Sequence, residues 1–163
     1  MITETLILDS KAFSINAMHY KNKSFTTAAY KDWASNIFSL LNQEPNLTRL
    51  KVLRDYFDPK KHRYVVEMIT YFPYNILFTQ EQKMSAKAFD VTNIEKPLQD
   101  LITMSKYFTK PDPYGVENLN MDDKHVSDFT SRKRVSQTGE HYIEYKISIM
   151  PLEDIMLTDE SND

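Results

Sequence analysis

Six polar side chains in two separate segments are of the types that phosphodiester hydrolysis requires. Four belong to segment 87–102, where a strand is expected to end and a helix to begin, and an acidic pair follows later in the chain. These residues are Asp90, Asn93, Lys96, Asp100, Asp122 and Asp123. Hydrolysis of a phosphodiester needs a divalent cation that neutralises the phosphate and activates a water molecule, and Mg²⁺ prefers oxygen ligands. Carboxylates from two segments could supply that site, and a lysine beside them would stabilise developing negative charge.

The same residues also have structural interpretations, because acids commonly cap helices and open turns. Thr92 and Glu95 fit the T-x-x-E capping box, which would mark the start of a helix without any chemistry. The acidic pair fits a turn equally well. Pro97 disfavours an α conformation at Lys96, so the helix is expected to begin irregularly or only at Pro97. Spacing alone therefore leaves both a metal site and purely structural roles open.

Hydrophobic periodicity and turn residues predict an α+β fold in the order β-α-β-β-α-β-β, with one mixed sheet packed against two helices. The predicted helices lie at 25–43, capped by Thr26 or Thr27, and at roughly 95–107. The predicted strands lie at 4–8, 48–57, 63–79, 126–135 and 141–150. The last two strands flank a polar segment that contains Gly139, and they are expected to pair as a closing hairpin.

Length and charge distribution predict one domain followed by an acidic tail. The chain has 163 residues, which suits a single domain, here expected at 1–151. Residues 152–163 carry five acids and no Lys or Arg, so we expect a flexible tail. The net charge is −3, but without the tail 20 basic residues face 18 acidic ones, a net charge of +2. Segments 49–63 and 131–134 hold most of the clustered positive charge and suit DNA phosphates, with ordinary solvated surface as the alternative.

Several classes of protein lack their characteristic residues in this chain. There is no cysteine, which excludes disulfides, thiolate metal sites and a cysteine nucleophile, and which favours an intracellular location. The four histidines form no H-x-x-H pattern, which argues against a zinc hydrolase. The two glycines form no phosphate-binding loop, so no nucleotide cofactor is expected. Neither a secretion signal nor an uninterrupted apolar run is recognisable, so no membrane association is expected.

A known family shares the spacing of these polar residues. The run D-x-x-N-x-x-K-x-x-x-D, followed by the D-D pair, resembles the signature of the RusA family of Holliday junction resolvases. Segment 13–33 is similar to that family's S-x-N segment, basic loop and helix, and M-D-D-K-H-V-S-D resembles its D-D-x-x-V-x-D/E pattern. The resemblance covers most of residues 5–150.

The resemblance implies a role for each matching residue. Asp90 and Asp123 would be catalytic carboxylates that bind Mg²⁺, for which Mn²⁺ is a possible substitute, and Asp122 would be a supporting ligand. Lys96 would be an essential cation beside them. Asn93 would lie behind the ligands, where its amide can donate to one carboxylate.

One position departs from the family pattern. The pattern most often has a second acid two residues after the first, and this chain has Thr92 there. The Thr92 hydroxyl could hold a metal-bound water, or the residue could only cap the helix. Segment 103–120 is also longer than the usual link, and it is either a DNA-contacting flap or a surface insertion.

The partners implied by the resemblance are branched DNA and a second copy of the chain. A homodimer would present two equivalent metal sites to the two equivalent strands of a four-way junction and would nick them symmetrically, in recombination and repair. The candidate DNA-contacting cations are Lys21, Lys23, Lys87, Arg132, Lys133 and Arg134. The expected location is the cytoplasm, in a bacterial or phage context.

Two other functions remain compatible with the sequence. Thr92 allows a catalytically impaired RusA-like protein that binds branched DNA without cutting it. The net negative charge allows an α+β interaction protein that does not bind nucleic acid. Salt-sensitive binding to branched DNA would count against the latter.

Overall fold

A computed structural model describes residues 1–17, 27–103 and 123–156. The strands are β1 (Ile2–Leu8), β2 (His62–Phe72), β3 (Val126–Val135) and β4 (Tyr142–Pro151). The helices are α1 (Ala28–Leu41), α2 (Asn46–Tyr56), the one-turn α3 (Tyr74–Leu77) and α4 (Val91–Ile102). Short 3₁₀ turns lie at Ile15–Ala17, Asp123–His125 and Leu152–Ile155.

The four strands form one mixed sheet in the order β1-β4-β2-β3. β4 pairs antiparallel with both β1 and β2, whereas β2 and β3 are parallel. This confirms the predicted α+β class with a single mixed sheet. A parallel pair cannot be joined by a tight hairpin, so the chain crosses over between β2 and β3, and that crossover contains α4.

Alternate residues of the strands form one face of the hydrophobic core. On β2 and β4 the buried positions recur every second residue, as a half-buried sheet requires. The buried side chains of the helices belong to the same cluster, so the helices cover that face. The principal contributors are Leu6, Leu8, Ile37, Leu41, Leu50, Leu53, Tyr64, Val66, Met68, Leu98, Leu101, Tyr145 and Ile147.

The start of α1 follows the sequence prediction. Thr27 is the N-cap residue, and its hydroxyl accepts a hydrogen bond of 3.1 Å from the backbone N–H of Tyr30. Of the two predicted caps, Thr26 and Thr27, the helix therefore uses Thr27. Its side chain satisfies one of the free N–H groups at the start of the helix.

Residues 48–56 belong to helix α2, so the prediction of a strand at 48–57 is wrong. The buried residues of α2 are Asn46, Leu50 and Leu53, which recur at helical spacing, and the intervening Lys and Arg residues favour a helix. The described part of the chain therefore has four strands where five were predicted. It also has three helices of more than one turn where two were predicted.

The predicted closing hairpin is also wrong. β3 and β4 are both present, but β2 lies between them in the sheet. The connection between them contains Gly139, whose positive φ of 81° suits a glycine. β2 itself ends at Phe72 instead of residue 79, because Pro73 has no N–H to donate to a neighbouring strand.

α4 begins at Val91 and ends at Ile102, earlier at both ends than predicted. Pro97 lies inside the helix and is buried, so it does not mark the helix start. Burial of Ile94, Leu98 and Leu101 against the core supplies the packing that offsets an interior proline.

The boundary between domain and tail stays a prediction. Leu152–Ile155 forms a 3₁₀ turn, and the N–H of Leu152 donates a 2.8 Å hydrogen bond to the carbonyl oxygen of Lys61. Residues 157–163 lie outside the described residues. In the described ranges, no helix is both long enough and apolar enough to cross a membrane.

The side chain of Asn46 joins α2 to β1 and α1. It accepts a hydrogen bond from the N–H of Ile7 and donates to the carbonyl oxygens of Ile7 and Leu40. We expect Asn46→Ala to lower the free energy of unfolding by about 2–4 kcal/mol, because three bonds are lost around a buried residue. Urea unfolding monitored by circular dichroism measures the change. Thr48→Ala, an exposed substitution in the same helix, should change it by less than about 0.5 kcal/mol. Equal losses in the two variants would contradict this bridging role.

Candidate functional site

α4 carries on one face three of the four polar residues of the D-x-x-N-x-x-K-x-x-x-D run. Asn93, Lys96 and Asp100 are separated by three and four residues, which places them on successive turns of the same side. The other side carries the buried Ile94 and Leu98.

Asp123, the second residue of the D-D pair, contacts this row of residues at Lys96. The Lys96 Nζ atom lies 2.7 Å from Asp100 Oδ1 and 2.5 Å from Asp123 Oδ2. Asp123 begins the 3₁₀ turn that leads into β3, and α4 packs next to β3. The fold therefore brings together acidic residues from two separate segments of the sequence around one ammonium group.

The three side chains differ in their access to solvent. The Asp100 side chain is only 8% exposed, whereas those of Asp123 and Lys96 are 39% and 41% exposed. Burial by itself lowers the pKa of Lys96, but hydrogen bonds to Asp100 and Asp123 and the charges of both carboxylates outweigh it, so the pKa is raised. The ammonium group is therefore charged at neutral pH.

Asp90 and Thr92 lie at the beginning of α4. Asp90 is the exposed N-cap residue, and its carbonyl oxygen accepts a 3.0 Å hydrogen bond from the N–H of Asn93. Thr92 is the second residue of the helix and is exposed. The capping-box interpretation of Thr92 and Glu95 is therefore wrong, because the N-cap position belongs to Asp90. A role for Thr92 in holding a metal-bound water stays a prediction.

The carboxylate oxygens around Lys96 can be compared with the ligands that Mg²⁺ requires. The carboxylate oxygens of Asp100 and Asp123 each lie within 2.7 Å of one nitrogen, so they are close to each other. Within residues 1–17, 27–103 and 123–156, no three His, Asp or Glu side chains are grouped closely enough to hold a metal ion. Mg²⁺ usually binds one or two carboxylates and keeps several waters. The half-exposed Asp123 fits such a site, and Asp122 lies outside the described residues.

The predicted DNA-contacting cations have different surroundings. Arg132 forms an ion pair with Glu67, while Lys133 donates a 3.1 Å hydrogen bond to the carbonyl oxygen of Phe89. Arg134 and Lys87 are exposed. Lys21, Lys23 and residues 104–120 lie outside the described residues, so their contacts with DNA stay predictions.

Two contacts in the candidate site were not predicted from the sequence. Asp100 was noted as part of the motif, but its ion pair with Lys96 was not predicted, although the i,i+4 spacing of the two residues could have indicated it. Lys133 holds the backbone directly before Asp90, although it was predicted only to contact DNA. No local pattern in the sequence marks that second contact, because it joins residues that are far apart in the chain.

A scan against protein-family models finds no match, and a search of curated proteins finds no significant one.

The raised pKa of Lys96 leads to a prediction for the metal-free protein. A raised pKa means that the ion pairs stabilise the fold fully below the usual value of 10.5 and that this contribution is lost as the pH rises through the higher folded value. We expect Asp123→Asn to lower the pKa of Lys96, because one of two acceptors loses its charge. Titration of the Lys96 ε-carbon by NMR measures it. Asp90→Asn serves as the control, and an equal shift in both variants would contradict the specific pairing.

Proposed function

We propose that this chain is a Mg²⁺-dependent DNA endonuclease of the RusA type that resolves four-way junctions. The observation that carries the proposal is the convergence of Lys96, Asp100 and Asp123. Two motifs that were matched only by sequence spacing contribute to one cluster in the folded chain. A chance pattern of turn and cap residues would not require them to meet.

The cluster has the chemical groups that phosphodiester cleavage uses. As the resemblance to the RusA family implies, Asp123 of the cluster would hold the cation together with Asp90 from the start of α4, and Asp122 would support them. When bound there, Mg²⁺ supplies charge neutralisation at the phosphate and activation of a water molecule. The Lys96 ammonium stabilises negative charge on the phosphate or on the leaving oxygen. The proposed setting is the cytoplasm of a bacterium or a phage-infected cell.

A second candidate is a protein of the same type that binds branched DNA without cutting it. One observation favours it: position 92 carries an exposed threonine in place of an acid. An interaction protein that binds no nucleic acid is the third candidate, favoured by the net charge of −3.

A labelled synthetic four-way junction, incubated with and without Mg²⁺, tests the proposal. The wild-type protein should produce paired symmetric nicks only with Mg²⁺. Asp123→Asn should reduce the nicking rate at least about 100-fold, because a neutral amide is a poor ligand for a hard cation. Binding to the junction should persist, since phosphate contacts elsewhere are unchanged.

Glu140→Gln is the matched control for this experiment. It removes one negative charge from the exposed connection between β3 and β4, away from the cluster. It should nick at the wild-type rate. Junction binding without nicking by the wild-type protein would favour the second candidate, and the absence of salt-sensitive binding would favour the third.

A homodimer is predicted from the symmetry of the proposed substrate. A two-fold symmetric dimer presents identical sites to two equivalent strands, which a monomer cannot do at once. Sedimentation equilibrium at micromolar concentration, with and without junction DNA, should give the mass of two chains. A single-chain mass under both conditions would contradict paired nicking by one assembly.

A further inference from the structure

The two carboxylates that contact Lys96 are not equivalent. Asp100 lies on the same helix four residues later, so the geometry of α4 fixes its approach to the ammonium group. Asp123 approaches from the turn before β3 and is far more exposed. Asp100 is thus the inner partner of Lys96, and Asp123 is the outer one.

Asp100 lies towards the core side of the cluster. Burial raises the pKa of the Tyr145 hydroxyl, and the charges of Asp100 and Glu95 raise it further, so Asp100 acts on a fully buried group of β4. Within the described residues, that hydroxyl has no hydrogen-bond partner. A carboxylate in this environment needs a paired cation. Lys96 supplies it.

A cation bound through Asp123 Oδ2 would compete with Lys96 for that oxygen. Asp123 Oδ2 is the atom that contacts Lys96 Nζ at 2.5 Å. A lysine held only by Asp123 would then be released, and its flexible four-carbon side chain would lose its position. The contact with Asp100 Oδ1 does not depend on Asp123.

We propose that Asp100 is a positioning residue that keeps the Lys96 ammonium group in the site when a metal ion occupies Asp123. The inference rests on the proposed nuclease function. Asp100 acts through Lys96 and not as a metal ligand, because its side chain is almost entirely buried and Mg²⁺ needs room for the waters it retains.

Kinetic measurements on Asp100→Asn test this role. We expect the rate of junction nicking to fall at least about 10-fold, as when one charge-stabilising group loses its alignment. The Mg²⁺ concentration for half-maximal rate and the KM for the junction should stay unchanged. Glu95→Gln, which removes a negative charge from the same helix, should nick at the wild-type rate.

A double variant distinguishes positioning from an independent role. Lys96→Ala combined with Asp100→Asn should be as slow as Lys96→Ala alone, because Asp100 then has no lysine to position. Multiplied losses would overturn the inference. A large increase in the Mg²⁺ requirement of Asp100→Asn would also overturn it, because that result would make Asp100 a ligand.

Lysine labelling gives a readout that does not depend on cleavage. Acetylation of Lys96 by an N-hydroxysuccinimide ester, quantified by mass spectrometry, should be slow in the wild-type protein with and without Mg²⁺. In Asp100→Asn it should become several-fold faster when Mg²⁺ is added.

Unchanged labelling in a protein that still nicks overturns the positioning role alone. If the wild-type protein nicks no junction, the proposed function fails and the catalytic part of this inference fails with it. Circular dichroism of each variant verifies folding.

Discussion

Burial of the Asp100 carboxylate is the constraint on which the organisation of the site depends. A charged group at 8% exposure destabilises the fold unless a cation compensates it, and the cation has to come from nearby. Lys96, one helical turn away, is that cation. The ammonium group of Lys96 also contacts Asp123. The lysine that compensates the buried charge of Asp100 therefore also holds α4 close to the turn before β3. The structural role of Lys96 therefore coincides with the chemical role that is proposed for it.

The topology of the sheet explains why these two segments meet. β2 and β3 are parallel neighbours, so the chain has to return along the sheet between them, and α4 lies on that return path. Its apolar side covers the core and its polar side faces the start of β3. Lys133 of β3 adds a second tie by donating to the backbone at Phe89, just before the helix begins. The segment before α4 is thus tied to β3, and the middle of the helix is tied to the turn that precedes the same strand.

Local patterns predicted some features of this chain well and others not at all. Alternation of apolar and polar residues predicted β3, β4 and the class of fold, and capping chemistry predicted Thr27. Both signals act over a few residues. Segment 48–57 was misassigned because its apolar residues fit a short strand as well as a helix, and only packing against the core decides between them. The pairing of β2 between β3 and β4 is a long-range choice without a local signature. For the candidate site, sequence spacing marked Lys96, Asp100 and Asp123, which meet in the fold, but it could not show that Asp100 is buried or that Lys133 holds Phe89.

The position of β3 at the edge of the sheet gives its basic run a further consequence. An edge strand presents unpaired backbone groups that can recruit a strand of another molecule and start aggregation. In the described sheet, β3 pairs with β2 on one side only, and its second half contains the run Ser131, Arg132, Lys133 and Arg134. Consecutive cations at such an edge repel an identical strand from a neighbouring copy. The run that was predicted to contact a phosphate backbone thus also protects the edge of the sheet from unwanted strand addition.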